Sequence, residues 1–120
     1  MGLDVDFFIP GNNEPVHDLR KHDWLFDQFH DLAGDLVDED YTDFYVDEEA
    51  FDVVTERVIA ELEDLGLDPA QIPPDVPGAT QVWSEDDFSW EIMLYFYLKV
   101  LTELRNAASE HGPLICAWSA

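Results

Sequence analysis

Residues 88–101 read FSWEIMLYFYLKVL, and apart from Ser89, Glu91 and Lys99 every side chain in the stretch is apolar or aromatic. At helical spacing this leaves no face polar. A helix apolar nearly all the way round is buried centrally or lends one face to a partner. Glu91 and Lys99, and the shortness of the run, exclude a membrane span. Ser84 and Asp87 form an approximate capping box upstream, and Gly112-Pro113 is a stop signal downstream. The pattern therefore predicts a helix from Glu85 to about Glu110, roughly 39 Å long at about 1.5 Å per residue. Phe88, Ile92, Tyr95, Phe96 and Leu98 read as its core face. Trp90, Tyr97 and Leu101 fall on a different side and mark a candidate homodimer seam or partner surface.

Beyond that helix, Leu114-Ile115-Cys116-Ala117-Trp118 reads as a closing strand. At the other end, Leu3, Val5, Phe7 and Ile9 alternate with Asp4 and Asp6, the period of a half-buried strand. The two terminal strands are expected to pair. Pro10-Gly11-Asn12-Asn13 breaks the first strand. Pro15 to Leu32 then reads as a helix, with Pro15 in its first turn and Val16, Leu19, Trp24, Phe26 and Phe29 as an imperfect stripe. Tyr41 to Val46 suggests a short edge strand. Asp47 is a natural N-cap for a second helix, whose apolar face carries Phe51, Val54, Val58, Leu62 and Leu65. Gly66 and Leu67 close it in a Schellman-type ending. Residues 68–82, DPAQIPPDVPGATQV, form a wrapped loop. The fold class is α+β: a small sheet including the paired terminal strands, with three helices packed on one face and the last one long. Residues 1–120 make a single acidic domain, with an expected radius of gyration of about 14 Å.

The chain holds 28 acidic residues against five basic ones, a formal charge of −23. That charge excludes unaided binding to nucleic acid or to an anionic membrane. Its 47% apolar content excludes a disordered acidic tail. A lone cysteine, Cys116, excludes an internal disulfide and suits a core position in a reducing compartment. The opening MGLDVDFFIPG lacks the positive charge of a secretory signal, and Asp6 stands where myristoylation requires Ser or Thr. The expected location is the cytoplasm.

Between His22 and Glu56 there are 13 carboxylates and no Lys or Arg. Asp23, Asp27 and Asp31 make a one-sided ladder at i, i+4 and i+8, an arrangement that destabilises a helix by a few tenths of a kcal/mol per pair. Folding alone would not select it. Three explanations compete: mimicry of a polyanion, adaptation to molar salt, and plain solvation of the surface. Duplex DNA carries about one charge per 1.7 Å of axis, so 23 charges match roughly 39 Å of duplex. The 16 aromatic residues argue against salt adaptation, in which large apolar side chains decline. Trp24, Tyr41, Phe44, Tyr45 and Trp90 are candidate anchors for specific docking.

Candidate chemistry is sparse. Counted as a calcium loop, Asp38, Asp40, Thr42 and Glu49 occupy positions one, three, five and twelve, but Asp43 stands at the sixth position, where the turn requires glycine. Asp18 and His22, and Asp27 and His30, share helix faces at spacings of four and three; His22 and His30 lie too far apart along a helix to share an ion. These histidines read as solvated groups beside carboxylates. No G-x-S-x-G, P-loop, G-x-G-x-x-G or H-E-x-x-H occurs.

The Met-Gly-Leu-Asp opening, the Arg20-Lys21 pair and the Ala117-Trp118-Ser119 ending resemble small proteins of phage and bacterial genomes. In size and charge the chain is similar to phage anti-restriction and anti-CRISPR DNA mimics and to acidic immunity proteins that neutralise nucleases. That resemblance implies a non-enzymatic inhibitor, without cofactor, that docks on a basic nucleic-acid-binding protein or nuclease. The expected contact residues are Asp23, Asp27, Asp31, Asp35, Asp38, Glu39, Asp40, Asp43, Asp47, Glu48, Glu49, Asp52 and Glu56. The alternative is a cation-binding or metal-dependent domain using the Asp38–Glu49 loop.

Overall fold

Two strands of alternating character at the chain ends meet in the middle of one sheet. The computed structural model describes residues 4–12, 14–20, 22–33, 44–74, 76 and 89–119. In chain order the elements are β1 (Asp4–Phe8), β2 (Pro15–Arg20), α1 (Asp23–Ala33), β3 (Phe44–Val46), α2 (Glu48–Asp64), α3 (Trp90–His111) and β4 (Leu114–Ser119). The sheet is antiparallel throughout, in the order β2-β1-β4-β3. The expected pairing of the terminal strands is present, with Asp4 opposite Ser119 and Phe7 opposite Cys116. The short strand in the acidic segment is at the edge, Phe44 facing Cys116 and Val46 facing Leu114.

The register places Phe44, Cys116 and Phe7 in one row across the sheet, with Val46 and Leu114 beside them, and all five are buried. Side chains one residue out of phase, such as Tyr45, point to the opposite face, where Tyr45 is 70% exposed. All three helices cover the buried face. The Phe7 ring meets Phe29 of α1 at 5.3 Å and Phe51 of α2 at 5.8 Å, and these two rings meet each other at 5.6 Å. On α3, Met93 to Leu98 are six consecutive buried residues. Such a run is possible because the helix is enclosed by the sheet, by α2 and by the loop after α2, where the Tyr95 hydroxyl donates to the Asp68 carbonyl at 2.8 Å. The radius of gyration is 13.8 Å.

α2 follows its sequence closely. The Asp47 carboxylate accepts the Ala50 N–H at 2.8 Å, and Phe51, Val54, Val58 and Leu62 are all buried. Glu48 and Glu49 sit at the positive end of the helix dipole. At the other end the Leu67 N–H donates to Leu62 O and Gly66 N–H to Glu63 O, the Schellman pair, with Gly66 at φ +74°. Leu65, expected on the apolar face, is instead exposed beyond the last helical turn. Asp47→Ala is expected to cost about 1 kcal/mol and to lower the melting temperature by several degrees, measured by circular dichroism.

Three expectations are corrected. Residues 15–20 are not the first turns of a helix: they form β2, hydrogen-bonded to β1 with Val5 opposite Leu19 and Asp6 opposite Asp18. Pro10-Gly11-Asn12-Asn13 thus lies in the connection of a hairpin, and Pro15 begins an edge strand, where a missing N–H is tolerated. The last helix starts at Trp90, not Glu85, capped by Ser89, whose hydroxyl accepts the Ile92 N–H. Its 22 residues span about 33 Å, and the expected box of Ser84 and Asp87 lies outside the described residues. Finally, Tyr97 and Leu101 are fully buried within the chain and Trp90 packs on Trp24, so the expected homodimer seam is interior.

Candidate interaction surface

The thirteen expected contact residues divide into three groups. Asp35, Asp38, Glu39, Asp40 and Asp43 lie outside the described residues, as do Tyr41 and Thr42. Asp23, Asp27 and Asp31 are on α1, which Asp23 begins. Asp47, Glu48, Glu49, Asp52 and Glu56 belong to α2 or its cap. Among the residues whose side chains are described, no carboxylate is buried, and His22 is the one buried polar or charged side chain.

The basic side chains are used differently. Arg57 of α2 reaches across to α1, where it donates to Asp31 Oδ2 and to Gln28 Oε1, both at 3.2 Å. Arg105 of α3 reaches back to the first turns of α2, donating to Asp52 at 2.5 Å and pairing with Glu48 at 2.9 Å. The hydrogen bond that Arg105 donates to Asp52, with the negative charges of Asp52 and Glu48, raises the guanidinium pKa above its ordinary value. Lys99 of α3 donates to the Val76 carbonyl at 3.3 Å. The three basic side chains that are described therefore each tie one element to another. Asp31, Glu48 and Asp52 serve in those ties and Asp47 serves as a cap, while Asp27, Glu49 and Glu56 stand exposed.

Glu49 and Glu56 are seven residues apart, and Glu63, also exposed, continues the row. They form a carboxylate ridge along the solvent side of α2, repeating about every 10.5 Å. Of the expected ladder, Asp27 and Asp31 lie on the solvent side of the neighbouring α1, and Asp31 is bridged to Arg57.

The aromatic anchors fare unevenly. Phe44 is core, and Trp24 is half-buried, stacked on Tyr97 and edge-on to Trp90. Tyr45 is the anchor among them that stands well exposed.

The histidine reading also changes. His22 precedes α1, and its carbonyl accepts the Phe26 N–H that opens the helix. Its ring is 1% exposed, lies against Phe96 and Tyr97, and hydrogen-bonds the Tyr97 hydroxyl at 3.0 Å through Nδ1. It is a core group and not a solvated one, and Asp18, being in a strand, does not share a helix face with it. His30 is exposed, against Phe26 and Trp118. Cys116 is buried, as expected. Among the described residues no group of three or more His, Cys, Asp or Glu is placed to hold a metal ion, and no helix is long and apolar enough to cross a membrane. Of the calcium count, Glu49 is described and is exposed in the first turn of α2, whereas Asp38, Asp40 and Thr42 are not described.

No protein-family model matches the chain, and no curated protein or solved structure is significantly similar to it.

Proposed function

We propose that this protein is a non-enzymatic acidic interaction protein that docks on a basic, nucleic-acid-handling partner and blocks it. The observation that carries the reading is the division of charge. The described arginines and lysine tie helix to helix or helix to loop, while carboxylates occupy the solvent sides of α1 and α2. With Arg57 and Arg105 each paired to carboxylates, the exterior of this region is net negative. A fixed shell of one sign raises association rates with an oppositely charged cleft and selects against like-charged partners. The longest dimension of the molecule, 37 Å, is close to the roughly 39 Å of duplex that would carry the same charge. Size and charge together suit the class of phage anti-defence mimics and nuclease immunity proteins. The contact surface would comprise Asp27, Glu49 and Glu56 with the acids of the 35–43 segment.

Competition tests the reading. Basic DNA- and RNA-binding proteins, including nucleases, are loaded with labelled duplex and titrated with this protein or with polyglutamate of equal charge. The protein is expected to displace duplex from a subset of them at concentrations where polyglutamate does not. Displacement equal to that of polyglutamate would show generic charge competition and would contradict the proposal.

A further inference from the structure

We propose that a trough between α2, α3 and the loop following α2 receives the apolar side chains of a cationic amphipathic segment of the partner; this rests on the reading of the protein as a binder of basic proteins. The trough has a volume of about 730 Å³ and is walled chiefly by Ile59 of α2, Leu98 and Lys99 of α3, and Pro69, Ala70 and Ile72 of the loop. Its lining is mostly apolar, and Ile72 is left 41% exposed at its edge. The Lys99 ammonium is drawn to the Val76 carbonyl at 3.3 Å, so its stem forms wall while its charge is directed at the loop.

Glu103 lines the trough, and further carboxylates stand next to its lining residues in the chain. Glu56 and Glu63 flank Ile59 at i−3 and i+4 on α2 and are exposed. Glu103 lines the α3 side and is exposed. Asp68 precedes Pro69, and its carboxylate accepts the Ala70 N–H at 2.9 Å, which fixes the loop as the third wall. A mostly apolar floor with Glu103 at its wall and Glu56, Glu63 and Asp68 nearby in the chain is complementary to a segment with Leu- or Ile-type side chains on one face and Lys or Arg beside them. A small apolar ligand would gain nothing from the rim, and the trough is too open to enclose one. The trough adds what charge alone lacks, a desolvated anchor point that selects among basic partners.

The test uses fluorescence anisotropy with three labelled synthetic peptides of equal length. One carries leucines at i, i+3, i+4 and i+7 among lysines; the second has the same lysines with serines for leucines; the third has the same leucines among glutamines. The full chain is expected to bind the first at least about tenfold more tightly than either other peptide. Ala70→Trp, which fills the trough, and Ile72→Ser, which removes its exposed edge, are each expected to weaken the first peptide by about tenfold or more and to leave the second unchanged. Both positions are surface positions outside the helices, and two variants guard against a folding defect in one. Equal binding of the first two peptides, unaffected by either variant, would overturn the trough while leaving the charge-based reading in place. Equal binding of the first and third would overturn the cationic occupant. Failure of both lysine peptides to bind at low salt would overturn the underlying reading as well.

Discussion

Phe51→Ala is expected to destabilise the domain by about 3–5 kcal/mol, the range for truncating a buried aromatic side chain. Phe51 has no exposed surface and closes a triangle of rings with Phe7 and Phe29, which joins α2 to β1 and α1. Each edge-on or tilted pair adds roughly 0.5–1.5 kcal/mol beyond area burial, so the substitution removes packing and two ring contacts together. Against a total stability of about 5–15 kcal/mol, that is a large fraction. The melting temperature should fall by roughly 10–25 °C, measured by circular dichroism. A loss below about 1 kcal/mol would mean that these three elements do not share one core. By comparison, truncation of the exposed Tyr45 is expected to stay within about 0.5 kcal/mol.

Reversal of Asp27, Glu49 and Glu56 to Lys should weaken binding to a basic partner by about 10- to 100-fold. Each of the three is exposed in the free protein, and none is among the carboxylates that pair with Arg57 or Arg105. The fold therefore keeps its ties between helices. An exposed ion pair contributes about 0.2–1 kcal/mol, and reversal replaces attraction by repulsion at three positions, so roughly 1.5–3 kcal/mol is at stake. The loss should appear mainly in the association rate and should shrink as salt screens the field beyond about 10 Å. Unchanged affinity in the triple variant, with an unchanged melting temperature, would remove the α1–α2 surface from the site. Reversing Asp31, Glu48 or Asp52 is a poorer test, because those changes would also break the contacts that hold α1 to α2 and α2 to α3.

The parts of the fold that could be read directly are those in which local pattern and tertiary demand coincide. Val5 and Phe7 of β1 alternate with Asp4 and Asp6 because the helices cover the face that carries Val5 and Phe7, and α2 displays its cap, its apolar stripe and its Gly66 stop within one continuous segment. The sequence of β2 also reads as a helix start, because Val16 and Leu19 are three apart and Pro15 suits a helix start as well as an edge strand. Only its pairing with β1, a contact of the tertiary structure, decides between them. Local pattern points to too early a start for α3 because Ser84 has an acid three residues on, whereas Ser89, the residue that caps it, has Ile92 at that position. Of the surface, the exposure of Asp27, Glu49 and Glu56 was legible from helical spacing. The roles of Asp31 and Asp52 were not. Their partners, Arg57 and Arg105, are 26 and 53 residues away, and no local pattern announces a pair at such a distance. His22 is similar: its burial depends on Tyr97, 75 residues away.

Acidity that serves a partner and acidity that adapts a protein to concentrated salt differ in what the isolated protein does in dilute buffer. The aromatic core and the ties made by Arg57 and Arg105 hold the helices together. Thermal unfolding followed by circular dichroism from about 20 mM to 3 M salt separates them. The expected result is a folded, cooperative domain at the lowest salt, with a melting temperature that rises as added ions screen the net charge of −23. A protein that folds only above molar salt would show that its charge serves its solvent, and the partner-binding account would fail.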